Sequence, residues 1–289
     1  MIPPPFDYHS PRTLPEALEL LGRFGEEAKV LSGGQSLLPL LKLRFAQPAH
    51  LVDIGRIPDL DYIKEEGGFL RIGALVREAT LEASPLVRSK YPILADTAAV
   101  IADPLVRNLA TVCGNLAHGD PANDHPATML ALGAEVVVTG AKGSRTVPVT
   151  QFFTGLFSTA VSPTEVLTEI RIPVPAAGSG GAYVKLERKV GDFATAGAAA
   201  FLALKGGTIE RAGIGLTNAG PTPVKAVEAE KYLAGKKPAE DAFAEAGRLA
   251  AAAASPSADR RGSVEYKKEM ARVLTIRALR KAAQRAGGK

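Results

Sequence analysis

The sequence predicts an α+β protein in two parts, and three observations carry that reading. Strand-like apolar runs and helical runs are interspersed through the first 175 residues. A Pro/Gly-rich stretch, Pro173–Gly181, then interrupts the pattern and marks a boundary, giving parts 1–175 and 176–289. Beyond it, three strand-like runs precede three helical runs, the order of an antiparallel sheet covered by helices rather than of βαβ units.

The elements follow in order. Thr13-Leu14-Pro15-Glu16 has the form of a capping box with Pro in the first turn, and Leu14, Ala17, Leu18 and Leu21 then share one helical face. Gly22 and Gly25 mark its end. Ala28 to Leu31 reads as a strand, and Ser36 to Leu43 as a helix bent or started by Pro39. His50 to Ile54 reads as a buried strand. Tyr62 to Lys64 and Phe69 to Gly73 form a hairpin across Gly67-Gly68. Thr80 to Lys90 and Ile93 to Ile101 read as short helices, and Ala102 to Pro126 as a long irregular binding segment. Ala127 to Leu132 is a helix. Glu135 to Thr139 and Arg145 to Val149 are partner strands, and Glu165 to Ile172 alternates like a half-buried strand.

In the second part, Ala182 to Lys189 is a strand, and Thr195 to Lys205 pairs with Thr208 to Thr217 across Gly206-Gly207. Helices are expected over Pro223 to Leu233, Pro238 to Ala253 and Ser263 to Ala286. Ser263 is the N-cap of the last, and Tyr266, Met270, Val273 and Leu274 form its apolar face.

Composition narrows the function classes. No stretch of about 18 uncharged apolar residues exists, so no membrane span is expected. The N-terminus lacks the basic start and apolar run of a signal peptide, which points to the cytoplasm. The +5 net charge is spread thinly, without aromatic interleaving or a recognition motif, so a nucleic-acid partner is not expected. The single cysteine, Cys113, excludes an intrachain disulfide, a Cys-based zinc site and an iron–sulfur cluster held by this chain alone. Of the four histidines only His118 and His125 lie close in sequence, and no metal site is expected from them.

Two glycine-rich stretches stand out, Ser32-Gly33-Gly34-Gln35-Ser36 and Thr111-Val112-Cys113-Gly114-Asn115. Each reads as a tight turn with open backbone N–H groups, small enough for close approach of a phosphate and flanked by neutral donors. Together they suit the two phosphates of a dinucleotide. Neither a Rossmann fingerprint nor a P-loop is present, and no catalytic elbow or metal motif accompanies them. A dinucleotide cradle without a catalyst suits a cofactor that carries its own chemistry.

Leu31-Ser32-Gly33-Gly34-Gln35-Ser36-Leu37-Leu38-Pro39 resembles the first FAD motif of the flavoprotein subunits of molybdenum hydroxylases, and Ile101 to Asn108 through Gly114-Asn115 resembles the second. Glu187 to Ala194 and Gly215-Leu216-Thr217-Asn218 resemble the family's C-terminal domain, so the resemblance spans essentially the whole chain. Within the family it is most similar to the medium subunits of aerobic carbon monoxide dehydrogenases.

The resemblance implies a two-part PCMH-type FAD-binding domain, about 1–55 and 56–175, before the smaller α+β domain. It implies FAD pyrophosphate contacts at Ser32, Gly33, Gly34, Gln35 and Ser36 and at Thr111, Val112, Cys113, Gly114 and Asn115. It adds Asp124, Ile101, Leu167 and Lys185 as further FAD contacts. The residues alone read equally well as core packing at Ile101 and Leu167, and as a solvated strand lysine at Lys185. Cys113 replaces a common family glycine, so negative φ and a small buried side chain are expected there. Phe193 stands where the carbon monoxide dehydrogenases have tyrosine against the flavin. The implied role is electron transfer without acid–base catalysis. The implied partners are a small [2Fe–2S] subunit and a large molybdopterin subunit, in a dimer of heterotrimers, with quinone or another acceptor taking the electrons; peripheral membrane association through that acceptor is compatible with this. Subunits acting on purines, N-heterocycles or aldehydes, or a non-redox nucleotide-binding module, are the alternatives.

Overall fold

The computed structural model describes residues 1–287; Gly288 and Lys289, the last positions of the expected second part, lie outside the described residues. The chain begins with β1 (Asp7–His9), α1 (Leu14–Phe24), β2 (Ala28–Leu31), α2 (Leu37–Lys42) and β3 (His50–Asp53). These strands form a parallel sheet in the order β1-β3-β2. The sequence did not disclose β1, since Asp7-Tyr8-His9 has no apolar alternation and is placed by pairing with β3. At α1, Thr13 Oγ1 accepts from the Glu16 N–H at 3.4 Å, while the Glu16 carboxylate accepts from the Arg12 N–H instead of closing the box on Thr13. Gly22 lies inside α1 and Gly25 ends it.

Next come β4 (Ile63–Glu66) and β5 (Phe69–Gly73), joined by Gly67-Gly68 with φ of 62° and 84°, the two positive values a type I′ hairpin requires. Helices α3 (Glu78–Ala83), α4 (Pro85–Lys90), α5 (Pro92–Ala99), α6 (Pro104–Arg107), α7 (Val112–Ala117) and α8 (His125–Leu132) follow. After them run β6 (Glu135–Gly140), β7 (Gly143–Pro148), α9 (Val149–Phe152), the small ribbon β8 (Phe153–Gly155) and β9 (Ser158–Thr159), and β10 (Val166–Pro173). The main strands build a five-stranded antiparallel sheet, β4-β5-β10-β6-β7.

Two expectations change here. The segment Ala102 to Pro126 is less irregular than its composition suggests, because Asp103 and Thr111 cap α6 and α7. Helices this short leave no readable period. Strand β10 is not half-buried but central, with both faces covered. Its polar residue Glu169 is tolerated because Tyr62 Oη, Arg71 Nε and Arg171 Nε all donate to the carboxylate. Burial pushes that carboxyl up, and the three donors together outweigh it and hold it below the ordinary range.

Pro173 ends β10 and β11 (Ser179–Leu186) starts six residues later, so residues 174–178 alone make the connection. Strands β12 (Ala196–Lys205), β13 (Thr208–Thr217) and β14 (Val224–Lys225) complete an antiparallel sheet in chain order; two-residue β14 adds to the three strands expected. Helices α10 (Val227–Leu233), α11 (Glu240–Ala253) and α12 (Val264–Ala286) cover one face, forming a second hydrophobic core. The other face meets α5 and α8 of the first part. A Cβ at Gly213 or Gly215 would strike the carbonyl oxygen of Ala131 or Ala127, so these glycines let the α8 backbone lie directly on β13.

Ser263 caps α12 as expected; of the expected apolar face Leu274 is buried and Met270 packs against the second core, but Tyr266 is exposed and Lys267, Ala271, Ala278 and Ala282 extend the buried stripe. Lys267 is buried because Asp259 and the Ser257 carbonyl receive its ammonium group. Lys281 and Arg285 reach Asp96 on α5, and Arg280 pairs with Glu240. These three cations of the last helix are therefore paired within the chain. Among the described residues no helix is long and apolar enough to cross a membrane.

Candidate cofactor site

The two glycine stretches lie at the ends of different elements and meet in space. The first connects β2 to α2; the second spans the start of α7. Ser32 Oγ is 3.1 Å from Thr111 Oγ1. Gly33 lies so near the other loop that a Cβ would strike the Leu109 carbonyl oxygen and come within 2.8 Å of Ala110 Cα. Gly34, at φ 75°, turns the chain so that its carbonyl accepts from the Leu38 N–H at 2.9 Å. Gln35 folds back on the Gly33 carbonyl at 3.3 Å.

The second stretch differs from the tight turn expected. Thr111 is an N-cap, its hydroxyl accepting from the Gly114 N–H at 3.2 Å, and Gly114 is helical. Its lack of a Cβ matters because that atom would stand 2.6 Å from Thr111 Oγ1. Val112 and Cys113 face the core on α7. Cys113 has the ordinary negative φ anticipated, and burial pushes its thiol up, away from thiolate chemistry. Asn115 accepts from Asn123 Nδ2 at 2.8 Å through its main-chain carbonyl, while its side-chain Oδ1 is buried without a partner.

Asn123 leads to Asp124, whose carboxylate is buried between the two parts of the chain. Lys185 Nζ on β11 donates to Asp124 Oδ2 at 3.0 Å and to the Val100 carbonyl at 2.9 Å. The Lys185 side chain is 3% exposed, which rules out a solvated strand lysine. Tyr183, a residue the sequence reading missed, donates its hydroxyl to Asp124 Oδ1 at 2.6 Å. Burial pushes the Asp124 carboxyl up, opposed by Lys185 and Tyr183.

Ile101 adjoins this group through Val100 and is buried, with its carbonyl accepting from Arg107. Leu167 on β10 is buried among the first hydrophobic core, outside the hydrogen-bonded links that join the other positions. Phe193 is 49% exposed in the loop before β12. Ala102, at φ 45°, and Asn218, at φ 55°, hold left-handed backbone on either side of this region. The Asn218 N–H donates to the Pro121 carbonyl, so the motif ending β13 is tied directly to the segment before Asp124.

These residues fit a dinucleotide. The loops touch at Gly33, the Ser32 and Thr111 hydroxyls stand side by side, and the buried Asn115 Oδ1 is an acceptor without a donor from the chain, suited to a hydroxyl or N–H of a nucleotide rather than to its phosphates.

Comparison with known proteins agrees. Residues 4–175 match the model of the FAD binding domain in molybdopterin dehydrogenase, and residues 181–282 match the CO dehydrogenase flavoprotein C-terminal domain. The carbon monoxide dehydrogenase medium chain of Hydrogenophaga pseudoflava is 48% identical, over 96% of this chain and 97% of its own. That of Afipia carboxidovorans is 46% identical over 99% of both chains. A solved structure of carbon monoxide dehydrogenase from Hydrogenophaga pseudoflava, lacking the Mo-pyranopterin moiety of its cofactor, superposes with a TM-score of 0.96 at 49% identity, covering 99% of each chain. The fold, both matched domains and this identity along nearly the whole chain make the protein an FAD-binding oxidoreductase subunit of the molybdopterin dehydrogenase (molybdenum hydroxylase) family.

Proposed function

We propose that this chain is the flavoprotein subunit of a carbon monoxide-oxidising molybdenum hydroxylase. The observation carrying the proposal is the 48% and 46% identity, over nearly full length, to chains named carbon monoxide dehydrogenase medium chain. The domain division, 1–175 for FAD and 176–289 for the C-terminal unit, belongs to the same reading. FAD, when bound, accepts electrons from a reduced centre and releases them to an external acceptor.

The chain's own residues bind and orient. Ser32–Ser36 and Thr111–Asn115 hold the pyrophosphate, with the Ser32 and Thr111 hydroxyls as neutral donors. Asp124 and Lys185 contact the cofactor where the two parts meet, and Ile101 and Leu167 supply apolar wall. No residue of the chain serves as an acid–base catalyst. The single cysteine is buried, so iron–sulfur ligands must come from another chain. A small [2Fe–2S] subunit and a large molybdopterin subunit fill those roles, in a cytoplasmic dimer of heterotrimers that passes electrons to quinone or another acceptor.

The test is the visible spectrum of the chain purified from its own host, with the masses of accompanying subunits and with carbon monoxide as reductant. Stoichiometric flavin, a small and a large partner, and bleaching by carbon monoxide are the expected results. A complex bleached by an N-heterocycle or aldehyde but not by carbon monoxide overturns the substrate. A colourless chain that takes up no added FAD overturns the function.

A further inference from the structure

Tyr183 and Lys185 are two residues apart on β11, so both side chains leave the same face of the sheet, toward the first part of the chain. Register aligns Lys185 with Gly197 on β12, and Gly197 with Thr217 on β13. Gly197 is the one member of this row without a side chain. A Cβ there would run into the Tyr183 hydroxyl and approach Thr217 Cβ to 3.0 Å. The gap at Gly197 is therefore where the Tyr183 hydroxyl lodges.

Its polar neighbours are ordered. Tyr183 Oη is 2.6 Å from Asp124 Oδ1 and 3.0 Å from Thr217 Oγ1. The phenol proton goes to the carboxylate, since burial and the Asp124 charge both push the phenol far above its ordinary value. Thr217 then donates to the phenol oxygen, giving a polarised chain Thr217 to Tyr183 to Asp124 that meets Lys185 from the other side. The Tyr183 ring belongs to the first hydrophobic core, where phenylalanine would satisfy packing alone. A buried hydroxyl is costly without partners, so a built socket for one, lined by a glycine and a threonine, calls for a role. Tyr183 and Lys185 use two of the roughly four acceptor positions of the Asp124 carboxylate.

We propose that Tyr183 is a positioning residue for the flavin: its hydroxyl, seated by Gly197 and Thr217, fixes the Asp124 carboxylate so that the remaining acceptor positions face the cofactor. This rests on the reading of Asp124 as a cofactor contact.

The experiment compares full-length Tyr183→Phe and Asp124→Asn with the unaltered chain in FAD affinity, in the midpoint potential and visible circular dichroism of the bound flavin, and in melting temperature. Tyr183→Phe is expected to weaken FAD binding on the order of tenfold or more, the equivalent of one charge-assisted hydrogen bond. It is also expected to shift the flavin potential and dichroism in the direction Asp124→Asn does, changes a purely structural tyrosine would not produce. Thr217→Val, which removes the donor behind the phenol, gives a smaller shift of the same sign and serves if Tyr183→Phe does not fold. Asp124→Asn altering the flavin while Tyr183→Phe and Thr217→Val leave it unchanged overturns the role of Tyr183 alone. An unchanged flavin in Asp124→Asn overturns the contact reading itself, and this proposal with it.

Discussion

Ser32 Oγ and Thr111 Oγ1 lie 3.1 Å apart although 79 residues separate them in the chain. One belongs to the turn after a parallel strand, the other caps a helix beside the antiparallel sheet, and their contact is where the two glycine loops become one site. Because Thr111 also caps α7 through the Gly114 N–H, its hydroxyl serves the fold and the site at once.

Thr111→Val removes both functions. It is expected to cost about 1 kcal/mol of stability, the usual worth of an N-cap, and to weaken FAD binding. Ser32→Ala, which caps nothing, should weaken FAD binding with a smaller loss of stability. Urea unfolding of the apo-protein and FAD titration of each variant separate the two effects.

Gly33→Ala places a methyl group against the Leu109 carbonyl, backbone that cannot swing away as a side chain would. Overpacking of this kind costs about 1–3 kcal/mol. The two loops must part to admit it, so FAD retention after gel filtration is expected to fall together with the melting temperature. Gly33→Val combined with Gly114→Val, which adds bulk against the Thr111 cap as well, is expected to lose FAD and to lower stability further. Full FAD retention in Gly33→Ala would show that contact between the loops is not needed for binding.

Asp96 on α5 receives Arg285 at 2.6 Å and Lys281 at 3.0 Å, both from α12. This ties the last helix to the first part of the chain. Asp96→Ala is expected to destabilise by about 1–2 kcal/mol, less than a fully buried pair because both cations retain access to water. The loss should shrink as salt is added. Thermal melts at low and high ionic strength check both statements.

The Glu165 carboxylate accepts two bonds from Arg145, at 3.0 and 2.7 Å, and one from the Ser162 N–H at 2.9 Å. The Arg145 bonds are the main reason its pKa falls from 4.5 to about 2, against the opposing effect of burial. A folded-state value below the unfolded one stabilises fully above the unfolded value and is lost as pH falls toward the folded one. Stability from this group therefore declines between about pH 4.5 and about pH 2. Glu165→Gln should be less stable at neutral pH and show a shallower decline across that window, as measured by urea unfolding at successive pH values.

Most of the element order, the hairpins at Gly67-Gly68 and Gly206-Gly207, the cap at Ser263 and the turn at Gly33-Gly34 were legible in the sequence, because each depends on neighbours within a few residues. Turn geometry, capping and alternation are local physics, and the chain carries them in order. Burial is different. β10 reads as half-exposed but is central, and α12 buries Lys267 while leaving Tyr266 exposed, because partners at Tyr62, Arg71 and Asp259 satisfy the polar groups. Short α6 and α7 and three-residue β1 had too few residues for a period to show.

The same division runs through the site. The sequence by itself disclosed two short glycine-bearing segments and a lone cysteine, too few for a cluster held by this chain alone. Only the tertiary structure decided that these segments touch, that Asp124 meets Lys185 and Tyr183 across the junction of the two parts, and that Gly197 leaves room for a hydroxyl carried by another strand. A hydrogen bond between residues 59 or 61 positions apart leaves no periodic trace in the chain, because its partners are chosen by how the two parts pack.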